Sequence, residues 1–140
     1  MQFIPKKTKY KKQQKGKNFH RVNGLIHFEK MKCGSVGLKA LTAGRLTSKQ
    51  IVTLKQCVTK IIKKFGRLKI NVVADTPISK KPLEIRMGKG KGAVDHWISK
   101  IKVGKIICEL DVSKPVLALR ALKLVQIRLP MKTKLISNLK

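Results

Sequence analysis

Acidic side chains are scarce in this 140-residue chain. Six Asp and Glu stand against 34 Lys and Arg, and the net charge is +28. A free domain with so one-sided a charge repels itself. Release of counterions from phosphates rewards many spread cations, so the balance points to nucleic acid as partner. Long apolar runs are missing too: none approaches the ~20 residues of a membrane-spanning helix. The basic residues lie in tails and loops as well as on helices, unlike a single interfacial helix. No membrane partner is expected. Cysteine is limited to Cys33, Cys57 and Cys108, far apart and without a C-x-x-C pair. That spacing speaks against a disulfide framework or a zinc site. Cys57 and Cys108 fall in apolar-patterned segments and read as small core residues in a reducing compartment. The start, "MQFIPKKTKYKK", lacks the apolar region of a secretory signal. It is rich in Lys rather than Arg and is broken by Pro5, so it reads as mature protein.

What is present suffices for one folded domain. Apolar residues make up 42% of the chain, and the length suits a single unit. Residues 1–21 stand apart, with Lys6, Lys7, Lys9, Lys11, Lys12, Lys15, Lys17 and Arg21 and no acid. So few apolar residues cannot fold this segment alone. It reads as an arm that orders on its partner, with Tyr10 and Phe19 able to stack on bases. The body, 22–140, carries the periodic signals. "GLIHFEK" (24–30) and "GSVGLKAL" (34–41) read as strands. Thr47 and Gln50 form a capping box, followed by the helical stripe Ile51, Leu54, Val58, Ile61, Ile62 and Phe65 up to a stop at Gly66. Lys49, Lys60, Lys63 and Lys64 lie near the other face. "RLKINVVAD" (67–75) and "PLEIRM" (82–87) read as strands around a turn-rich "TPISKKP". "VDHWISKIKVGKIICEL" (94–110) reads as two strands turning at Val103–Gly104, sharing one sheet with the preceding pair. Ser113 is placed to cap a second helix over 114–129, with the stripe Ala118, Leu122, Val125 and Leu129. Leu117, Leu124 and Ile127 lie off that stripe, so the helix is expected to be covered on more than one side. "MKTKLIS" reads as a last strand. The order is β β α β β β β α β, an α+β domain with an antiparallel or mixed sheet.

The run "RMGKGKG", Arg86 to Gly92, invites a nucleotide-binding reading and fails on spacing. A P-loop needs G-x-x-x-x-G-K followed by Ser or Thr at a strand-to-helix junction. Here the glycines are two apart and a strand follows, which excludes the G-x-G-x-x-G fingerprint as well. Gly88, Gly90 and Gly92 permit close backbone approach. Lys89 and Lys91 supply mobile charges, and Arg86 supplies a fork for phosphate. The plainer reading is an exposed hairpin tip. His20, His27 and His96 are not at ligand spacing. Asp95 and His96 are adjacent, so on a regular strand they face opposite ways. The acids are scattered and read as balancing nearby lysines. Trp97 reads as a core or RNA-packing aromatic. No catalytic constellation, metal site or cofactor site is expected.

In chain order, "IPKKTKYKKQQKG", "GSVGLKAL", "GRLTSKQI", "KPLEIRMGKGKG", "GKIICELD" and "LPMKTK" resemble ribosomal protein sixteen of the large subunit, in its bacterial and organellar form. The resemblance spans essentially the whole chain. It implies an α+β fold and a structural, non-catalytic protein that binds large-subunit ribosomal RNA. It implies a place near the aminoacyl-tRNA site, between the peptidyl transferase region and the stalk base. By motif, the run Arg86, Met87, Gly88, Lys89, Gly90, Lys91 and Gly92 is the loop towards the tRNA cleft, with Met87 packing at its base. The arm lysines and Arg45 of "GRLT" are RNA-contacting positions. Phe19–Cys33 departs from the family pattern, and the second helix is more apolar than in typical bacterial members.

The expected partners are therefore large-subunit ribosomal RNA, tRNA in the aminoacyl site and secondarily the peptidyl site, and neighbouring ribosomal proteins. A free homo-oligomer is not expected. Lysine outnumbers arginine 28 to 6, which suits an A+T-rich genome. With no extension before the family's own start, the location expected is the mitochondrial ribosome, then the plastid, then the bacterial cytoplasm. A free RNA- or DNA-binding module and a nucleotide-using enzyme are the competing classes.

Overall fold

The computed structural model describes residues 4–14 and 29–137. Seven strands and two helices follow one another as β1 (Val36–Ala40), β2 (Gly44–Thr47), α1 (Ser48–Ile62), β3 (Gly66–Ile70), β4 (Thr76–Lys80), β5 (Ala93–Ile101), β6 (Ile106–Val112), α2 (Pro115–Arg128) and β7 (Thr133–Ser137). They make a single-domain α+β fold. The strands form two antiparallel sheets rather than one, in the orders β3-β6-β1-β7 and β2-β5-β4. The turn at Val103–Gly104 thus carries the chain from one sheet to the other.

Helix α1 begins where the capping box places it. Thr47 Oγ1 accepts from Gln50 N at 3.2 Å, and Gln50 Oε1 accepts from Thr47 N at 2.8 Å. Its stripe Ile51, Leu54, Val58 and Ile62 is buried. The helix ends three residues before Phe65, which is exposed. Lys63, with φ +50°, closes it by donating its N–H to Thr59 O. Gly66 is not the stop but the first residue of β3. A Cβ there would stand 2.4 Å from Asp111 O, so the position serves strand pairing with β6.

Helix α2 starts at Pro115, and its N-cap is Lys114, without a side-chain bond. Proline holds the residue before it in extended backbone, which leaves Ser113 one position too early to cap. Ala118, Ala121, Leu122 and Val125 are buried. Val116, Leu124 and Ile127 are exposed, so among the described residues the helix is covered on one side only. Both helices pack on each other and on one face of the four-stranded sheet, where Val36, Leu38, Cys108 and Leu110 complete the core.

The segment between β3 and β5 departs most from the expected pattern. Strand β3 stops at Ile70, and Val72 and Ala74 are buried without joining a strand. "TPISK", expected as a turn, is β4; its Pro77 is tolerated because β4 is a sheet edge. "PLEIRM", expected as a strand, is irregular, and Leu83, Ile85 and Met87 are exposed. The first expected strand, 24–30, has its first five residues outside the described residues. Glu29 and Lys30 are described and are not in a strand.

Candidate nucleic-acid interface

The β4–β5 hairpin is joined by a 12-residue irregular loop, 81–92. Loops of that length without structure of their own are uncommon in compact domains and usually functional. Arg86, Lys89 and Lys91 are exposed along it. Gly88, Lys89 and Gly90 all have positive φ (+98°, +50° and +83°). A Cβ at Gly88 or Gly90 would meet nothing within 4 Å, so these two are needed for backbone shape and not for packing. Gly92 is the opposite case: a Cβ there would stand 2.5 Å from Lys80 O, at the closed base of the hairpin. Met87 is fully exposed, which corrects its expected place packed at the loop's base. Gly92 and Lys80 close the base backbone to backbone.

The arm and the loop, about 80 residues apart in sequence, lie together. Lys12 Nζ donates to Lys91 O at 3.0 Å, and Lys91 Nζ donates back to Gln13 O. Lys81 Nζ donates to Gly88 O across the loop. Lys6, Lys7, Lys9, Lys11 and Lys12 are exposed beside this junction, and Tyr10 is exposed with Lys9 Nζ 5.5 Å from its ring centre. Lys12, Lys81 and Lys91 thus spend hydrogen bonds on backbone carbonyls, not on carboxylates, and their charge remains uncompensated. Ile4, the first described residue of the arm, lines a cleft with Val52, Thr53 and Trp97. Lys15, Lys17 and Arg21 lie outside the described residues.

Arg45 is exposed on β2 and is not part of this junction. It stands directly across from Lys100 on β5. The loop joins β5 at Ala93, seven residues away, which is roughly 23 Å at the usual strand rise. Like charges directly opposite each other destabilise a strand pair, and an anion over the pair removes that penalty. Lys49 opposes the helix dipole in the first turn of α1, which itself holds no acid. Lys80, Lys81 and Lys100 extend the cationic surface beyond the expected residues. The signal for the first two was "SKKP", next to the loop.

Asp95 and His96 do not face apart. His96 Nδ1 and Asp95 Oδ2 are 2.8 Å apart. The β4–β5 register slips between Ile78 and Ser79, so Asp95 is the extra residue of a bulge, and a bulge re-aims its side chains. The hydrogen bond with His96 holds the Asp95 carboxyl below its ordinary value, with Lys80 and Lys49 adding to it. Two other acids tie down a strap, Glu29–Gly34, more than they balance lysines. Glu109 Oε2 accepts from Lys32 N (3.1 Å) and Cys33 N (2.8 Å), and its Oε1 accepts from Asn71 Nδ2 (2.6 Å). Glu29 Oε2 accepts from Ile106 N at 3.0 Å. Burial works against the Glu109 charge. The hydrogen bonds from Cys33, Asn71 and Lys32, with Lys69 nearby, outweigh it and hold the carboxyl below its ordinary value. All three cysteines are free thiols; burial pushes the Cys108 thiol up to about 12.

The family model for ribosomal protein L16p/L10e matches residues 5–136. The chain belongs to that family. Large ribosomal subunit protein uL16 of Psychrobacter cryohalolentis is 45% identical over 135 residues, covering 96% of each chain. The uL16 proteins of Wigglesworthia glossinidia brevipalpis and Buchnera aphidicola subsp. Baizongia pistaciae are each 43% identical over 96% of each chain. The family is one of structural ribosomal components, and these relatives are bacterial. Among the described residues, no helix is long and apolar enough to cross a membrane.

Proposed function

We propose that this chain is a structural constituent of the large ribosomal subunit that binds its RNA through the basic arm, 1–21, and the loop 86–92, which meet at Lys12, Gln13 and Lys91. The reading rests on one observation above all: Lys12 donates to Lys91 O and Lys91 donates to Gln13 O across the two segments, in a surface whose cations find carbonyls and not acids. Phosphates complete such a surface. In this reading Lys6, Lys7, Lys9, Lys11, Lys12, Lys15, Lys17 and Arg21 hold ribosomal RNA, and Arg45 with Lys100 holds a separate stretch of backbone. Residues 22–140 are one domain in this reading, and the loop 86–92 belongs to it.

The loop then helps shape the aminoacyl-tRNA site. Arg86, Lys89 and Lys91 present charge, while Gly88 and Gly90 leave open space in which another backbone can approach. The protein does no chemistry; it positions RNA near the peptidyl transferase centre. Contact with tRNA in the peptidyl site and with neighbouring ribosomal proteins belongs to the same reading. A mitochondrial ribosome remains the first location proposed, on the excess of lysine over arginine. The bacterial relatives fit a bacterial cytoplasm, and fractionation of the source cell decides between them. The functional test is Lys89→Ala with Lys91→Ala. The doubly substituted chain should still enter large subunits, which should then bind aminoacyl-tRNA more weakly. Unchanged tRNA binding would sink the role assigned to the loop.

A further inference from the structure

The face of the four-stranded sheet turned away from the helices carries its own cationic surface. Val36, Leu38, Cys108 and Leu110 point to the helices, so the alternate positions Gly37, Lys39, Lys69, Glu109 and Lys134 point outward. Lys39 and Lys134 are direct cross-strand partners, which sets two cations side by side on this face. The strap Glu29–Gly34 crosses this face, with Met31 packed over Gly37. Between strap and sheet lies a cleft of about 480 Å³, lined by Lys30, Lys32, Lys69 and Lys105. Its two acids are already engaged: Glu109 with three donors and Glu29 with Ile106 N. They hold the strap in place and thereby set Lys30 and Lys32 at the rim. Lys69 donates to Cys33 Sγ at 3.1 Å, and that contact raises its pKa.

We propose that this outer face is a second binding site for an RNA backbone. Consecutive phosphates would lie between Lys30 and Lys32 of the strap and Lys69 and Lys105 of the sheet, with Lys39 and Lys134 extending the track. The chain would then join two RNA segments, one on the arm and loop and one on the strap. The inference rests on the ribosomal reading above and adds a site that the arm and loop do not include.

Cys33 is exposed beside the cleft and offers a natural probe position. In the full chain with Cys57→Ser, an iron chelate tethered to Cys33 generates hydroxyl radicals that cut nearby RNA backbone. In assembled large subunits the Cys33 probe should cut one RNA segment. A probe at Met87→Cys, in a chain with Cys33→Ser and Cys57→Ser, should cut a different one. Cuts from Met87 with none from Cys33 would overturn the second site and leave the ribosomal reading standing. Cuts from neither would overturn both. A second variant, Lys30→Glu with Lys32→Glu, keeps both backbone N–H bonds to Glu109. Its binding to protein-stripped large-subunit RNA should lose about 0.7–0.9 of salt slope for each phosphate contact removed, with tRNA binding by assembled particles retained. An unchanged slope would contradict the proposal.

Discussion

Lys91 illustrates how single residues carry the interface. Its carbonyl accepts from the arm and its ammonium donates back to it, so one residue sets both the charge and the position of the surface. The glycines around it divide the work differently. Replacing Gly88 by Ala should cost about 1–2 kcal/mol in backbone strain, since L side chains disfavour its left-handed conformation, and open space surrounds it. Gly92→Ala should cost more, because it drives a methyl group into Lys80 O and displaces the end of β4. Urea midpoints of the two variants in high salt check the order. At Glu109, substitution by Ala takes the acceptor from two backbone N–H groups and the Asn71 amide, at about 0.5–1.5 kcal/mol for each of these partly exposed bonds lost. The pH sign follows from its lowered folded value. The stabilisation is full above the ordinary carboxyl value of 4.5 and is lost as pH falls through the lower folded value. A carboxyl-carbon titration with its Glu109 midpoint above 4.5 would contradict this account.

At the level of elements, legibility followed how local the deciding physics is. Helix α1 was readable because its cap and its stripe are both local: four residues set the start and a 3.6-residue period sets the buried face. Thr47→Ala should therefore cost about 1 kcal/mol and lower the thermal midpoint without changing the sheets. Circular dichroism melting measures it. Ser113 misled because Pro115 overrides the capping preference of the residue two before it. Strand β4 was hidden by Pro77, which reads as a breaker until the strand is known to be an edge. "PLEIRM" made the reverse error: alternation suggested a strand where Leu83, Ile85 and Met87 are exposed. The two-sheet division depends on pairings between β1, β6 and β7, far apart in sequence, and no local pattern reports them. The loop was legible by composition and spacing. Its contact with the arm was not, since Lys12 and Lys91 carry no mutual signal in the sequence. The bulge that joins Asp95 to His96 was equally silent.

The whole molecule is a small apolar core beneath a surface charged to +28. Two helices and two sheets supply the scaffold, and nearly every distinctive feature lies outside it: a basic arm, a glycine–lysine loop and an acid-anchored strap. Such a surface gains free energy from phosphates and loses it to self-repulsion alone. Removal of residues 1–21 should accordingly lower occupancy in large subunits. Equal occupancy of the truncated chain would refute the role of the arm. The central claim, residence in the large ribosomal subunit, is tested most directly by sedimenting a native lysate on sucrose gradients at moderate and at high salt and probing for this chain. The account predicts that it stays with the large subunit through high salt. Release into the top fractions, or its presence there at moderate salt, would contradict it.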